Sequence, residues 1–270
     1  MNAMTQAAPA GIGGPIPANA GSASLLGDID LAEEVPVALV YNGVSHAVMM
    51  ATPQDLEEFA LGFSLSEGVL ADPSELLDIE QRPACLGISV EMTVTHERFA
   101  ALMARRRSLV GRTGCGLCGV DSLEQLFRSH SPVTADAAVA PAAIARAVAS
   151  LPARQDLHRR VHAVHAAAWA TPDGDVVLVR EDVGRHNALD KLIGALAGTP
   201  AVGAEGFAII TSRCSYEMVQ KSVAAGIAVL VALSAPTRLA IDVAQDAGLT
   251  LVAWAKGSRG TVCTHPQRIL

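Results

Sequence analysis

Residues 207–254, FAIITSRCSYEMVQKSVAAGIAVLVALSAPTRLAIDVAQDAGLTLVAW, alternate short apolar runs with stretches of helical period. Phe207–Thr211, Ala228–Leu233 and Leu249–Trp254 are unbroken apolar segments bounded by serine, proline or glycine, the pattern of buried strands. Ser215–Ala225 and Pro236–Ala247, between them, read as helices. The alternation begins earlier, with a strand at Val176–Val179 and a helix over Asn187–Leu196. Gly198 and Gly248 each follow a helix, where a left-handed cap is expected. Strand-helix-strand repetition predicts an α/β fold with a mainly parallel sheet covered by helices. Turns leaving the carboxyl ends of such strands share one edge, and that edge is where ligands bind.

The chain upstream follows another pattern. Val35–Tyr41, the dipeptide Asn42-Gly43 and Ala47–Met50 predict a β-hairpin with a type I′ turn. Thr52 as N-cap, Pro53 and Asp55 predict a helix that runs to about Gly68 and buries Leu56, Phe59, Ala60 and Phe63 on one face. A strand at Ile88–Val94 and a helix at Glu97–Arg107 complete a smaller α+β domain over residues 24–107. Residues 108–136 read as a glycine-rich, cysteine-bearing loop and linker, and residues 137–270 as the larger domain. Residues 1–23, rich in Ala, Gly and Pro, read as a disordered lead.

Half of the 270 residues are hydrophobic, enough for a sizeable core. A net charge of -7 with only 3% aromatic residues argues against broad nucleic-acid binding, which needs a positive face and rings for stacking. No apolar stretch approaches the ~18 residues of a membrane span. Five cysteines without an export signal predict reduced thiols in the cytoplasm rather than a disulfide framework.

Four stretches could carry chemistry. Thr113-Gly114-Cys115-Gly116-Leu117-Cys118-Gly119 is a CxxC framed by glycines, hence on an accessible and pliant loop. Three chemistries fit Cys115 and Cys118: half a zinc site completed by Cys263 and His265, a dithiol redox pair, or a sulfur-carrying cysteine. Arg112 and Arg105–Arg107 lie close in sequence and favour a thiolate. Arg180-Glu181-Asp182-Val183-Gly184-Arg185-His186-Asn187-Ala188-Leu189-Asp190-Lys191 leaves a strand and enters a helix, offering amides and side chains to an anion. Its plain alternative is a solvated loop with Asn187 as N-cap and Lys191 on the outer helix face.

Ser212-Arg213-Cys214-Ser215 and Ser234-Ala235-Pro236-Thr237-Arg238 stand at two further strand-to-helix junctions, as ligand contacts or merely as caps through Ser215 and Ser234. Trp254-Ala255-Lys256-Gly257-Ser258-Arg259-Gly260 has the two cations and two glycines of a phosphate-binding turn, and His265 before Pro266 sits in extended backbone. Cys85 has no assigned role.

In combination these stretches, with Met50–Phe63, Glu67-Gly68 and the closing His265-Pro266-Gln267-Arg268, resemble the FdhD family of formate dehydrogenase accessory sulfurtransferases. The resemblance spans Val35 to Ile269. It implies a C-terminal three-layer domain similar to cytidine deaminase, without that enzyme's zinc, beside the smaller N-terminal α+β domain. It implies a sulfur carrier that accepts persulfide sulfur from an IscS-type cysteine desulfurase. The recipient is the molybdenum bis(molybdopterin guanine dinucleotide) cofactor destined for formate dehydrogenase. Cys115 matches the persulfide-bearing cysteine, with Cys118 assisting. Trp254, Ala255, Lys256, Gly257, Ser258 and Arg259 match the cofactor-binding stretch, with Trp254 where the family usually has Phe. Arg180, His186, Asn187, Lys191, Ser212 and Arg213 are the further expected cofactor contacts, and no metal of its own is expected. The resemblance also implies a homodimer. Two rivals remain: a cofactor or guanine-nucleotide chaperone without sulfur chemistry, and a zinc deaminase, for which the H-x-E and P-C-x-x-C pair is missing.

Overall fold

The computed structural model describes residues 30–110, 132–133, 137–199 and 205–270. The expected lead over residues 1–23 and the thiols Cys115 and Cys118 lie outside them. Strands β1 (Val35–Tyr41), β2 (Val44–Ala51), β3 (Leu76–Ala84) and β4 (Gly87–Val94) form one sheet in the order β2-β1-β4-β3. The β1–β2 hairpin turns through Asn42 and Gly43 at φ 46° and 79°, both left-handed as a type I′ turn requires. Helices α1 (Leu56–Ser66) and α2 (His96–Val110) accompany this sheet, and Leu39, Phe59, Leu70, Val90 and Leu102 form a core between them.

The second sheet comprises β5 (His165–Ala170), β6 (Val176–Asp182), β7 (Phe207–Ile210), β8 (Val229–Ala232), β9 (Thr250–Lys256) and β10 (Arg259–Val262), in the order β10-β9-β8-β7-β5-β6. Its helices are α3 (Pro141–Ser150), α4 (Asp156–Val161), α5 (Arg185–Gly198), α6 (Tyr216–Ala224) and α7 (Arg238–Asp246). The α/β class holds, but the sheet is mixed rather than mainly parallel. Only β7–β8 and β8–β9 are parallel, the pairs whose crossovers contain α6 and α7. β5 lies antiparallel to both β6 and β7, and β10 folds back on β9, because the links β5–β6 and β9–β10 are tight turns too short for a crossover. Leu31–Leu270 form one compact unit.

The two sheets meet where α1 lies on α5. A Cβ at Gly62 would stand 1.7 Å from the Asp190 carbonyl oxygen, and one at Gly194 1.9 Å from that of Glu58. The helix backbones therefore touch directly, at a distance no side chain permits.

Local capping differs from expectation at two places. The N-cap of α1 is Asp55, in left-handed backbone at φ 53° and without a side-chain cap bond, not Thr52. Thr52 is diverted: its hydroxyl accepts the Val183 N–H at 3.2 Å. His265 is left-handed rather than extended, at φ 46°, and its Nε2 lies 2.8 Å from the Gln245 carbonyl oxygen as it starts the last 3-10 turn.

Candidate functional site

The carboxyl ends of β7, β8 and β9 lie together, and the turns beyond them are tied by backbone bonds. The Cys214 N–H donates to the Ala235 carbonyl at 3.1 Å and the Trp254 N–H to the Ser234 carbonyl at 3.3 Å. β6 ends on the same edge, since His165 pairs with Asp182 and Ala167 pairs with both Arg180 and Ile210. Residues 180–187, 211–217, 234–237 and 254–259 thus share one sheet edge, as strand-end turns should.

Trp254 protrudes there. Ala253 pairs with Thr261 and Lys256 with Arg259, so a register shift at this point leaves Trp254 in left-handed backbone at φ 53° with its ring half exposed. An aromatic residue rarely accepts this conformation, which costs roughly 1–3 kcal/mol. Lys256, Gly257, Ser258 and Arg259 form the exposed hairpin tip beyond it, with Gly257 at φ 58°.

The Arg180–Lys191 stretch divides into two kinds of residue. Lys191 is fully buried and its Nζ lies 2.8 Å from Asp182 Oδ2, while donating to the Thr52 carbonyl at 3.0 Å. Asp182 also accepts the Thr52 N–H at 3.0 Å, the Gly184 N–H at 2.8 Å and Asn187 Nδ2 at 2.9 Å, and that Nδ2 donates onward to the Met50 carbonyl at 2.8 Å. Asn187 is therefore neither a cap nor a surface contact; Gly184 is the N-cap of α5. Arg180 Nη2 donates to Glu58 Oε1 at 2.7 Å and its Nε pairs with Glu58 Oε2; this bond, against the pull of burial, pushes the guanidinium pKa upward. Arg180, Asn187 and Lys191, expected as cofactor contacts, are engaged instead in joining the first sheet to the β6–α5 turn. A buried ammonium is stable only beside such a carboxylate, which removes both from the reach of a ligand.

Arg185 and His186 remain at the rim. His186 Nε2 lies 3.1 Å from Glu217 Oε2 but out of line for a hydrogen bond. Burial, aided by the charges of Arg185 and Lys221 and opposed by Glu217, lowers the imidazole pKa below its usual value. Arg185, which the sequence reading did not single out, makes no hydrogen bond or ion pair among the described residues, and its Nε is buried without a partner. Its signal was its place: a cation in the first turn of a helix opposes the helix dipole. Ser212 is buried with its hydroxyl on the Arg213 carbonyl, and Arg213 is exposed. Ser215 is the N-cap of α6, though its hydroxyl meets Glu217 rather than a backbone amide, and Thr237, not Ser234, caps α7.

Two of the described thiols, Cys214 and Cys263, are poor nucleophiles. Burial pushes Cys214 up to about 12 and also raises Cys263. Cys85 is exposed in the turn between β3 and β4.

The sequence profile of the FdhD/NarQ family matches residues 32–270. The chain belongs to this family. A protein named sulfur carrier protein FdhD from Cupriavidus necator is 54% identical over 245 residues, covering 91% of this chain and 85% of that protein. One of the same name from Variovorax paradoxus is 52% identical over 88% of this chain and 86% of that protein. A crystal structure from Desulfotalea psychrophila, provisionally designated a formate dehydrogenase accessory protein, superposes with a TM-score of 0.70 at 25% identity, covering 89% of this chain and 90% of that one. The fold is thus one that this chain shares with that protein over nine-tenths of each. No described helix is long and apolar enough to cross a membrane.

Proposed function

We propose that the chain is a cytoplasmic sulfur carrier that takes persulfide sulfur from an IscS-type cysteine desulfurase and passes it to the molybdenum bis(molybdopterin guanine dinucleotide) cofactor of formate dehydrogenase. The likeness to sulfur carrier proteins over nine-tenths of the chain carries this reading. The glycine-framed Cys115 and Cys118 supply the thiols, in keeping with the raised pKa of Cys214 and Cys263.

In loading, the Cys115 thiolate attacks the terminal sulfur of the donor persulfide. The donor's S–S bond breaks, its cysteine leaves as thiolate, and Cys115 holds the new persulfide; the exchange is redox-neutral. In delivery, the Cys118 thiol attacks the inner sulfur of that persulfide. A Cys115–Cys118 disulfide forms and hydrosulfide leaves toward the molybdenum, and a cellular dithiol reductant reopens the disulfide. The cargo is polyanionic, and the strand-end edge meets it with cations that make no ion pair among the described residues: Arg185, Arg213, Lys256 and Arg259. Such a local basic rim suits a chain whose net charge is -7.

Incubating the protein with a desulfurase and cysteine should add one sulfur within residues 111–131, read by mass spectrometry. Cys115→Ala should abolish the adduct and the activation of formate dehydrogenase while leaving GDP binding intact. Full activation by Cys115→Ala would overturn the sulfur chemistry and leave a cofactor chaperone.

A further inference from the structure

β6 is the last strand of its sheet, so one of its long sides has no neighbouring strand among the described residues. The parity of the ladder fixes what that side presents. The Thr211 N–H donates to the Ala166 carbonyl at 3.0 Å, which turns the backbone groups of Ala166 toward β7 and those of Ala167 toward β6. Ala167 pairs with Arg180 and His165 with Asp182, so Arg180 and Asp182 bond to β5 while Val179, Glu181 and Val183 face outward. Three outward groups find partners within the chain. The Val183 N–H donates to Thr52 Oγ1 at 3.2 Å, the Glu181 carbonyl accepts Lys191 Nζ at 3.4 Å and the Val179 carbonyl accepts Arg180 Nη1 at 2.9 Å. The Val179 and Glu181 N–H groups have none among the described residues. Both residues line a cleft of about 360 Å³ between β6, the β2–α1 turn and α4 with the 3-10 turn before it. The charges on its walls do not cancel. Asp55 lies 3.7 Å from Arg180 Nε, Asp156 2.5 Å from Arg159 Nη2, and the Glu181 carboxylate accepts two amides of α4. Arg154 is exposed and makes no ion pair among the described residues, and Arg160 adds a second exposed cation to the cleft.

We propose that this lateral edge of β6 is a docking strand for an extended, acidic segment of a partner protein, which adds to the sheet as a further strand. The segment's carbonyls accept the Val179 and Glu181 N–H groups, which stand about 7 Å apart as alternate residues of a strand. The outward carbonyls of the same two residues, each bonded once already, keep a second lone pair for the segment's own amides. Acidic side chains of the segment meet Arg154 and Arg160. Natural sheets blunt an edge that is not used. Here the chain's own side chains cover the carbonyls and close the ladder at Val183, and leave two donors open beside unanswered positive charge. This long side of the sheet is distinct from the strand ends where residues 211–217 and 254–259 gather, and docking there requires neither cargo nor sulfur.

Amide NMR on the full chain tests it, with an acetylated and amidated heptapeptide of alternating glutamate and valine as the probe. Titration should shift the Val179 and Glu181 amide resonances. Lysine in place of glutamate should weaken binding at least about tenfold. N-methylation of alternate peptide bonds should do the same, because it removes strand pairing and keeps the charge. Arg154→Glu combined with Arg160→Glu should weaken the glutamate peptide at least about tenfold while leaving GDP affinity and the denaturation midpoint unchanged. Val179 and Glu181 amides that do not respond to the glutamate peptide would overturn the proposal, as would equal binding of the lysine or the N-methylated peptide. In the protein alone, slow hydrogen exchange at these two amides that becomes fast on dilution would give the edge to a second copy of the chain and overturn it as well.

Discussion

At Lys191 a positive charge is wholly buried and wholly answered, and its worth shows when the answer is removed. Lys191→Met strands the Asp182 carboxylate in the interior and should cost about 3–5 kcal/mol in chemical denaturation. Lys221 makes a second such cluster with Asp190, Glu67 and Ser66 at 2.9–3.0 Å, and its ammonium lies 5.3 Å from the centre of the Phe63 ring. Burial lowers the Lys221 pKa, but Asp190 and Glu67 outweigh it and the net shift is upward; burial likewise raises Tyr41. Both groups hold their protons more tightly folded than unfolded. Their contribution is complete below the unfolded pKa values of 10.0 and 10.5 and is lost as pH rises through the folded ones. Unfolding free energy should therefore fall steeply above about pH 10, and Lys221→Met should flatten that limb. Little of this was legible in the sequence. Lys191 and Asn187 look like ordinary surface residues of a helix start, and what buries them is Thr52 and Met50, more than 130 positions away.

Among the elements, the crossing of α1 and α5 has the least tolerance. Gly62→Ala or Gly194→Ala puts a methyl group into backbone and should destabilise by about 1–3 kcal/mol or more, read as a lowered midpoint in denaturant. Elements with a strong period were legible: the first hairpin, α1, and the β7-to-β9 alternation. Three strands were not. β5 is His-Ala-Ala-Ala-Trp-Ala, and alanine carries no strand preference, so only its place between β6 and β7 makes it one. β3 is an exposed edge strand with Pro83 near its end, lacking the alternation of a half-buried face. β10 is four exposed residues defined by its turn from β9. In the second sheet the parallel reading failed at β5 and β10, which short turns join to their antiparallel neighbours β6 and β9. Within the candidate site the segments were legible, because strand ends announce themselves. Which side chain in a segment faces a ligand was not, because that depends on how each neighbouring carboxylate is engaged.

For the molecule as a whole, a homodimer is expected, and light scattering at micromolar concentration should give about twice the 27.9 kDa of one chain. Raising salt should weaken GDP binding, because the strand-end rim attracts its ligand with exposed charge. The α1–α5 crossing also dictates when the protein can fold. Its two helices are separated by more than a hundred residues of chain, so the first sheet emerges from the ribosome long before the surface on which its helix rests. Contacts of such sequence separation form slowly. Until α6 has been synthesised, Lys221 is absent and Asp190, Glu67 and Ser66 have no ammonium to close around. The growing chain must therefore carry Cys115 and Cys118, already translated, through an interval without a finished scaffold, and a truncated product ending before residue 221 should be captured by chaperones or degraded rather than persist.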